Sequence, residues 1–123
     1  SLSYMDYRPE QHLRRQSEIR APREHGKRTD CQTFTLWSLV RSTDKVSPSV
    51  KGPRACFVAS TASVGNATQR NKAKRRLREI FRKNQGLLKD NIDLVFVARN
   101  AVTRRPFKEI EQKFVEACKR ISP

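Results

Sequence analysis

The sequence predicts an α+β fold, a single-layer mixed sheet with helices packed on it. Three observations predict it. Thr33 to Val40 alternates with a period of two, placing Phe34, Leu36 and Ser38 on one face, as in a strand. A long cationic helical segment follows Gly65 and precedes an apolar strand, Ile92 to Arg99. Near the C-terminus, Phe107, Ile110, Phe114, Val115, Cys118 and Ile121 recur at helical spacing, which gives one core-facing side. Strands on either side of a helix indicate a layered α+β sheet.

The remaining elements follow in order. Residues 1–10, polar with scattered aromatics and Pro9, read as a flexible arm, and residues 11–123 as one domain. His12 to Ala21 forms a short helix carrying Arg14, Arg15 and Arg20, and Pro22 is expected to end it. Gly26 allows a turn. Residues 41–53 contain Ser, Thr, Asp, two prolines and a glycine, a long connection. Cys56 to Thr61 is a second strand. Asn66 or Thr68 caps the basic helix, Gly86 suits its stop, and Pro106 opens the last helix. The order is helix, two or three strands, helix, strand, helix.

Charge bounds the function. The 123 residues hold 27 Lys and Arg against 12 Asp and Glu, a formal charge of +15, and the pI is near 10.7. Such self-repulsion suits a polyanionic partner, above all a nucleic acid. A membrane surface would call for a strongly apolar helix face or a lipid anchor, and neither is visible. Cys31, Cys56 and Cys118 are odd in number and lack a CxxC spacing, which reads as buried, reduced thiols of a cytosolic protein. His12 and His25 are too few and too distant from them for a zinc site. No run has transmembrane length and no secretion signal is visible, so the expected compartment is the cytoplasm.

The chemistry is concentrated between Arg70 and Lys83. Eight cations (Arg70, Lys72, Lys74, Arg75, Arg76, Arg78, Arg82 and Lys83) face a single acid, Glu79. At about 100° per residue, Ala73, Leu77, Ile80 and Phe81 share one side, and Arg70, Lys74, Arg75, Arg78 and Arg82 fall on an adjacent arc. Solvated helix faces mix signs, because like charges four apart repel. Guanidinium forks in a row match phosphate oxygens along a backbone, and Asn71 adds an uncharged donor and acceptor. Catalysis by the protein is not expected. Asp90 and Asp93 lie on a turn and at a strand start, Glu109 and Glu111 cannot share a helix face, and no nucleophile triad or phosphate loop is present.

Val64-Gly65-Asn66-Ala67 followed by Arg70-Asn71, Lys74-Arg75, Arg78-Glu79 and Phe81 resembles the Arg-Asn-Arg signature of the bacterial ribonuclease P protein family. Leu13-Arg14-Arg15, Gly26, Phe34, and Asp93 through Ala98-Arg99 extend the resemblance from about Leu13 to Cys118. It implies an α-β-β-β-α-β-α sandwich similar to the second domain of ribosomal protein S5, with a left-handed strand–helix–strand crossover. It also implies a subunit without nuclease activity of its own or a cofactor of its own. A large RNA with Mg2+ would remove the 5′ leader of precursor tRNA, with this protein bound to it as a monomer in a 1:1 ribonucleoprotein. Carried over residue by residue, Arg70, Asn71, Lys72, Lys74, Arg75, Arg78 and Arg82 would contact the catalytic RNA. Arg14, Arg15, Ile19, Phe34 and Trp37 would lie near the leader, with only one of Phe34 and Trp37 facing it.

The chain departs from the family pattern at Ala62 and Ser63, where lysines are usual. Ile19 and Arg23 replace aromatics, and Phe57 replaces a glycine. These changes are expected mostly on the leader side, predicting weaker or differently shaped leader binding. The main alternative is a ribosomal or ribosome-associated structural RNA-binding protein. A DNA-binding regulator is disfavoured because Lys and Arg crowd the helix and leave few short polar side chains to read a groove.

Overall fold

The computed structural model describes residues 12–13, 16–40, 53–88 and 91–121. The predicted arm, Arg14 and Arg15, and most of the 41–53 connection lie outside these residues. The elements in chain order are α1 (Gln16–His25), β1 (Lys27–Asp30), β2 (Phe34–Val40), β3 (Arg54–Val58), α2 (Ala67–Asn84), β4 (Ile92–Ala98), α3 (Ala101–Arg104) and α4 (Phe107–Ile121). A 3-10 turn, Gln85–Leu87, follows α2. The four strands form one mixed sheet in the order β1-β2-β4-β3. β2 pairs antiparallel with β1 and with β4, and β3 pairs parallel with β4. The predicted α+β class and element order are thus present, with the short α3 added. Among the described residues no helix is long and apolar enough to cross a membrane.

Register sorts the side chains onto two faces. Phe34, Leu36, Ala55, Leu94, Phe96 and Ala98 lie on one face and join Ala73, Leu77, Ile80 and Phe81 of α2 and Ile110, Phe114, Ala117 and Cys118 of α4 in the core. Phe96 is its centre, with ring centroids of Phe34, Phe57, Phe81 and Phe114 within 4.9–6.1 Å. Val115, expected in that apolar stripe, is only half-buried and stands outside the core. The opposite face carries Thr35, Trp37, Asp93, Val95 and Arg54, and α1 packs there against β2 and β4. An ion-paired chain ties α1 down. Arg54 Nη1 reaches Glu18 Oε2 of α1 at 2.6 Å, while its Nε and Nη2 donate to the two oxygens of Asp93 at 2.9 and 2.8 Å.

Three local expectations are corrected. The first helix runs Gln16–His25 and passes through Pro22 instead of stopping before it. The proline withholds one helix hydrogen bond, but it is buried, and its carbonyl accepts Gly26 N–H at 3.0 Å, so the last turn closes. His12, expected in that helix, instead bridges Ala55 beside β3. The second strand spans Arg54–Val58, because parallel pairing with β4 begins at Arg54 and a turn hydrogen-bonded from Val64 N–H to Ser60 C=O follows it. Cys31 and Cys118 are free and buried, and burial pushes both thiols up to about 12. Cys56 is only half-buried.

The β1–β2 turn is strained and clamped. Gln32 adopts a left-handed φ of 67°. Its N–H donates to Asp30 Oδ1 at 2.8 Å, and Arg99 reaches Gln32 C=O, Asp30 Oδ1 and Thr35 Oγ1 at 2.9, 3.2 and 2.8 Å. The Gln32 N–H, and then Arg99, hold the Asp30 carboxyl below its usual range. A left-handed non-glycine residue costs about 1–2 kcal/mol. Gln32→Gly is therefore expected to stabilise the fold by about 0.5–1 kcal/mol, part of the relief being offset by a freer unfolded chain. Thermal unfolding checks this, and an unchanged or lowered midpoint would show that the Gln32 side chain contributes more than its backbone strain removes.

Candidate nucleic-acid interface

The local sequence gives α2 its length and direction. Asn66 is the N-cap, its side-chain oxygen accepting Gln69 N–H at 3.0 Å. The core side predicted for the helix is the one observed, with Ala73, Leu77, Ile80 and Phe81 all buried. Apart from Ala67 at its start, the rest of the helix is polar, and at 3.6 residues per turn the cations divide between two flanks and a crest.

On the flank toward β3 stand Arg70, Lys74 and Arg78. The Arg78 guanidinium lies 5.9 Å from the centroid of the Phe57 ring. Arg70 is half-buried, and its Nε is buried with no hydrogen-bond partner among the described residues. A donor in that condition is uncommon in a folded protein. Asn71 and Arg75 are exposed near the crest. Arg82 is also there but turns toward Glu79, donating to it through Nε at 3.1 Å and through Nη2. That interaction holds the Glu79 carboxyl below its usual range, so the one acid of the helix stays charged and engaged.

The other flank faces α3 and α4. Arg76 donates to the carbonyls of Val102 and Arg105 at 2.5 and 2.8 Å, and Lys83 pairs with Glu111 at 3.8 Å. Arg76 and Lys83 also stand 6.0 and 5.5 Å from the Phe107 ring centroid. Between this flank and the α3–α4 elbow runs a groove of about 580 Å³, whose lining includes Lys72, Arg75, Arg104 and Arg105. Chemically, the helix presents fixed cations on a rigid rod, suited to gripping a phosphate backbone.

The sequence model described as Ribonuclease P matches residues 7–122. The chain belongs to the ribonuclease P protein family. It is 31% identical over 108 residues to the ribonuclease P protein component of Clostridium novyi, covering 88% of this chain and 90% of that one. Among solved structures, the ribonuclease P protein of Thermotoga maritima superposes with a TM-score of 0.73 at 27% identity, covering 91% of this chain and 98% of that one. The Staphylococcus aureus ribonuclease P protein gives the same TM-score at 18% identity, over 91% and 95% of the two chains, and so shows the shared fold. These matches support a ribonuclease P protein component, with ribonuclease P RNA as the implied partner, and give the ribosomal alternative no support.

Within this ribonuclease P protein, the predicted RNA-contact residues lie on one helix but on both of its flanks. Lys72 faces the α3–α4 groove, away from Arg70, Lys74 and Arg78. The predicted leader residues separate further. Ile19 on α1 and Trp37 on β2 are half-buried on the α1 face of the sheet, whereas Phe34 is 0% exposed and sits on the core face against Phe96. Phe34 is therefore a core residue, for the period-two reason that lets only one of the pair face α1. Phe57, expected to alter the leader side, points instead to α2, stacked on Phe96 at 4.9 Å and edge-on to Phe81 at 6.1 Å. Sequence reasoning missed the clamp role of Arg76 and the contribution of Arg104 and Arg105. The Arg-Arg dipeptide before Pro106 was the only available signal for the latter.

A direct test of the helix replaces Arg70 and Arg78 together by Ala. Charge-assisted hydrogen bonds contribute about 1.5–3 kcal/mol each, so affinity for a ribonuclease P RNA is expected to fall at least tenfold. The slope of log affinity against log salt should flatten by about two. Parental affinity and slope would place the RNA elsewhere on the protein.

Proposed function

We propose that this chain acts as the protein subunit of a ribonuclease P that removes the 5′ leader from precursor tRNA, the bond cleavage being carried out by the RNA. The observation that carries the reading is the α2 surface. Arg70, Lys72, Lys74, Arg75 and Arg78 have no ion-pair partner among the described residues, while Glu79 is already engaged by Arg82. This is a surface completed by a polyanion, and membership of the ribonuclease P protein family names which one. The described residues offer no group of three or more His, Cys, Asp or Glu able to hold a metal ion. In this reading the Mg2+ belongs with the RNA.

The precursor's leader is assigned to the opposite side of the sheet. There α1 leaves Trp37, Cys56, Val58 and Val97 half-buried, a partly covered apolar strip beside Ile19. Trp37 offers a ring on which an unpaired base can stack without regard to sequence. In this arrangement one monomer, working in the cytoplasm, grips the catalytic RNA through α2 and steadies the substrate's single strand through the α1 face.

The test is 5′ cleavage of a precursor tRNA at low magnesium by a bacterial ribonuclease P RNA, with and without this protein, and by the protein alone. Cleavage that requires the RNA and rises with the protein is expected. Cleavage by the protein alone would overturn RNA catalysis, and tight RNA binding without stimulation would overturn the processing role.

A further inference from the structure

We propose that the groove between α2 and the α3–α4 elbow is a second subsite for an RNA phosphate backbone, continuing the run of phosphates gripped along α2. The proposal rests on the reading of α2 as the RNA-binding helix and extends that interface onto a part of the chain the Arg-Asn signature does not contain.

Cations converge on the groove from two separate elements. Lys72 and Arg75 project from α2, and Arg104 and Arg105 from the elbow. None of these four side chains makes an ion pair or side-chain hydrogen bond among the described residues, and all four are exposed. Glu79 is the one carboxylate in the lining, and Arg82 already holds it. A cluster of one sign with no free acid to balance it is unfavourable in isolation and becomes favourable when an anion enters.

The walls are also held at a fixed spacing. Arg76 gives its donors to the carbonyls of Val102 and Arg105, so it bolts the elbow to α2. Its bonds go to main-chain oxygens, and the Arg104 and Arg105 side chains stay available. The two backbones that carry the four cations are thus already set at their spacing before a ligand enters, which removes the cost of bringing the elements together. Arg75 stands both at the helix crest and in the groove lining, so a strand lying along the crest can pass into the groove without a break. That continuity favours a polynucleotide over a small free anion.

The experiment measures binding of the full chain to a bacterial ribonuclease P RNA across a series of salt concentrations. Arg104→Gln with Arg105→Gln is expected to weaken binding roughly tenfold near 0.1 M salt and to flatten the salt slope by about two. Lys119→Gln with Arg120→Gln removes the same charge from the exposed end of α4 and is the reference. It should leave the slope nearly unchanged. If the two double variants behave alike, the groove contributes only net charge and the subsite is refuted. The Arg70→Ala, Arg78→Ala variant separates the two readings. Weak binding there with parental binding by the elbow variant removes the second subsite alone, whereas parental binding there removes the α2 interface. Inorganic pyrophosphate at matched ionic strength should not displace the RNA. Displacement would reassign the groove to small polyphosphates and overturn the proposal.

Discussion

Asp93→Ala is expected to destabilise the fold by about 3 kcal/mol, a loss seen as a drop of about 10 °C in the thermal midpoint. Asp93 is 4% exposed and accepts two hydrogen bonds from Arg54, at 2.9 and 2.8 Å, in a forked geometry. The Asp93 hydrogen bond is also the largest reason the Arg54 guanidinium holds its proton more tightly than usual. Without Asp93, a guanidinium in a site only 17% exposed keeps Glu18 but loses its forked partner. Breaking one side of a buried pair costs more than removing both. Arg54→Met with Asp93→Leu should therefore recover most of the loss. Because Glu18 belongs to α1, the single variant should also loosen α1 on the sheet and weaken binding of precursor tRNA relative to leaderless tRNA, leaving affinity for the ribonuclease P RNA nearly intact. An Asp93→Ala variant within 1 kcal/mol of the parent would show that water reaches the pair and replaces it.

Gly26→Ala is expected to cost about 3 kcal/mol through a different route. A methyl group at Gly26 would lie 2.2 Å from the Ser38 carbonyl oxygen and 2.4 Å from that of Pro22. Both are main-chain atoms, one on β2 and one in the last turn of α1, so no side chain can rotate away. The helix end must lift from the strand or the strand must shift. Gly86→Ala is the matched control, since a methyl group there meets nothing within 4 Å. Urea unfolding should show a lower midpoint for Gly26→Ala and a change within about 0.5 kcal/mol for Gly86→Ala. Equal effects at the two positions would refute the close-approach explanation.

How far the sequence could be read depended on whether the cause was local. The two-sided character of α2 is written in fourteen consecutive residues, because period and charge both act along one helix. Phe34 and Leu36 declare a shared face for the same reason. Pro22 misled because its local penalty is real but smaller than what docking α1 on the sheet returns. Phe57 was misplaced because which face it occupies depends on the register of β3 against β4, in which Phe57 lies opposite Phe96. Arg76 looks like every other cation of the helix, and only the approach of the α3–α4 elbow makes it a clamp. Arg104 and Arg105 were invisible as a site because their partners, Lys72 and Arg75, lie about thirty residues away in the chain.

The strand order has a consequence for keeping such a molecule dispersed. β3 and β1 are the outermost strands, and a bare strand edge is a template on which another chain can add. On the β3 side, His12 bridges Ala55 and the Leu13 N–H donates to the Ala55 carbonyl at 3.0 Å, so a piece of the same chain already occupies part of that edge. On the β1 side the strand is four residues long and carries exposed Lys27, Arg28 and Asp30. Both borders of the sheet are thus guarded against strand addition, one by a covering segment and one by brevity and charge. Copies of this protein that meet at high concentration would then find little open sheet edge on which to fuse.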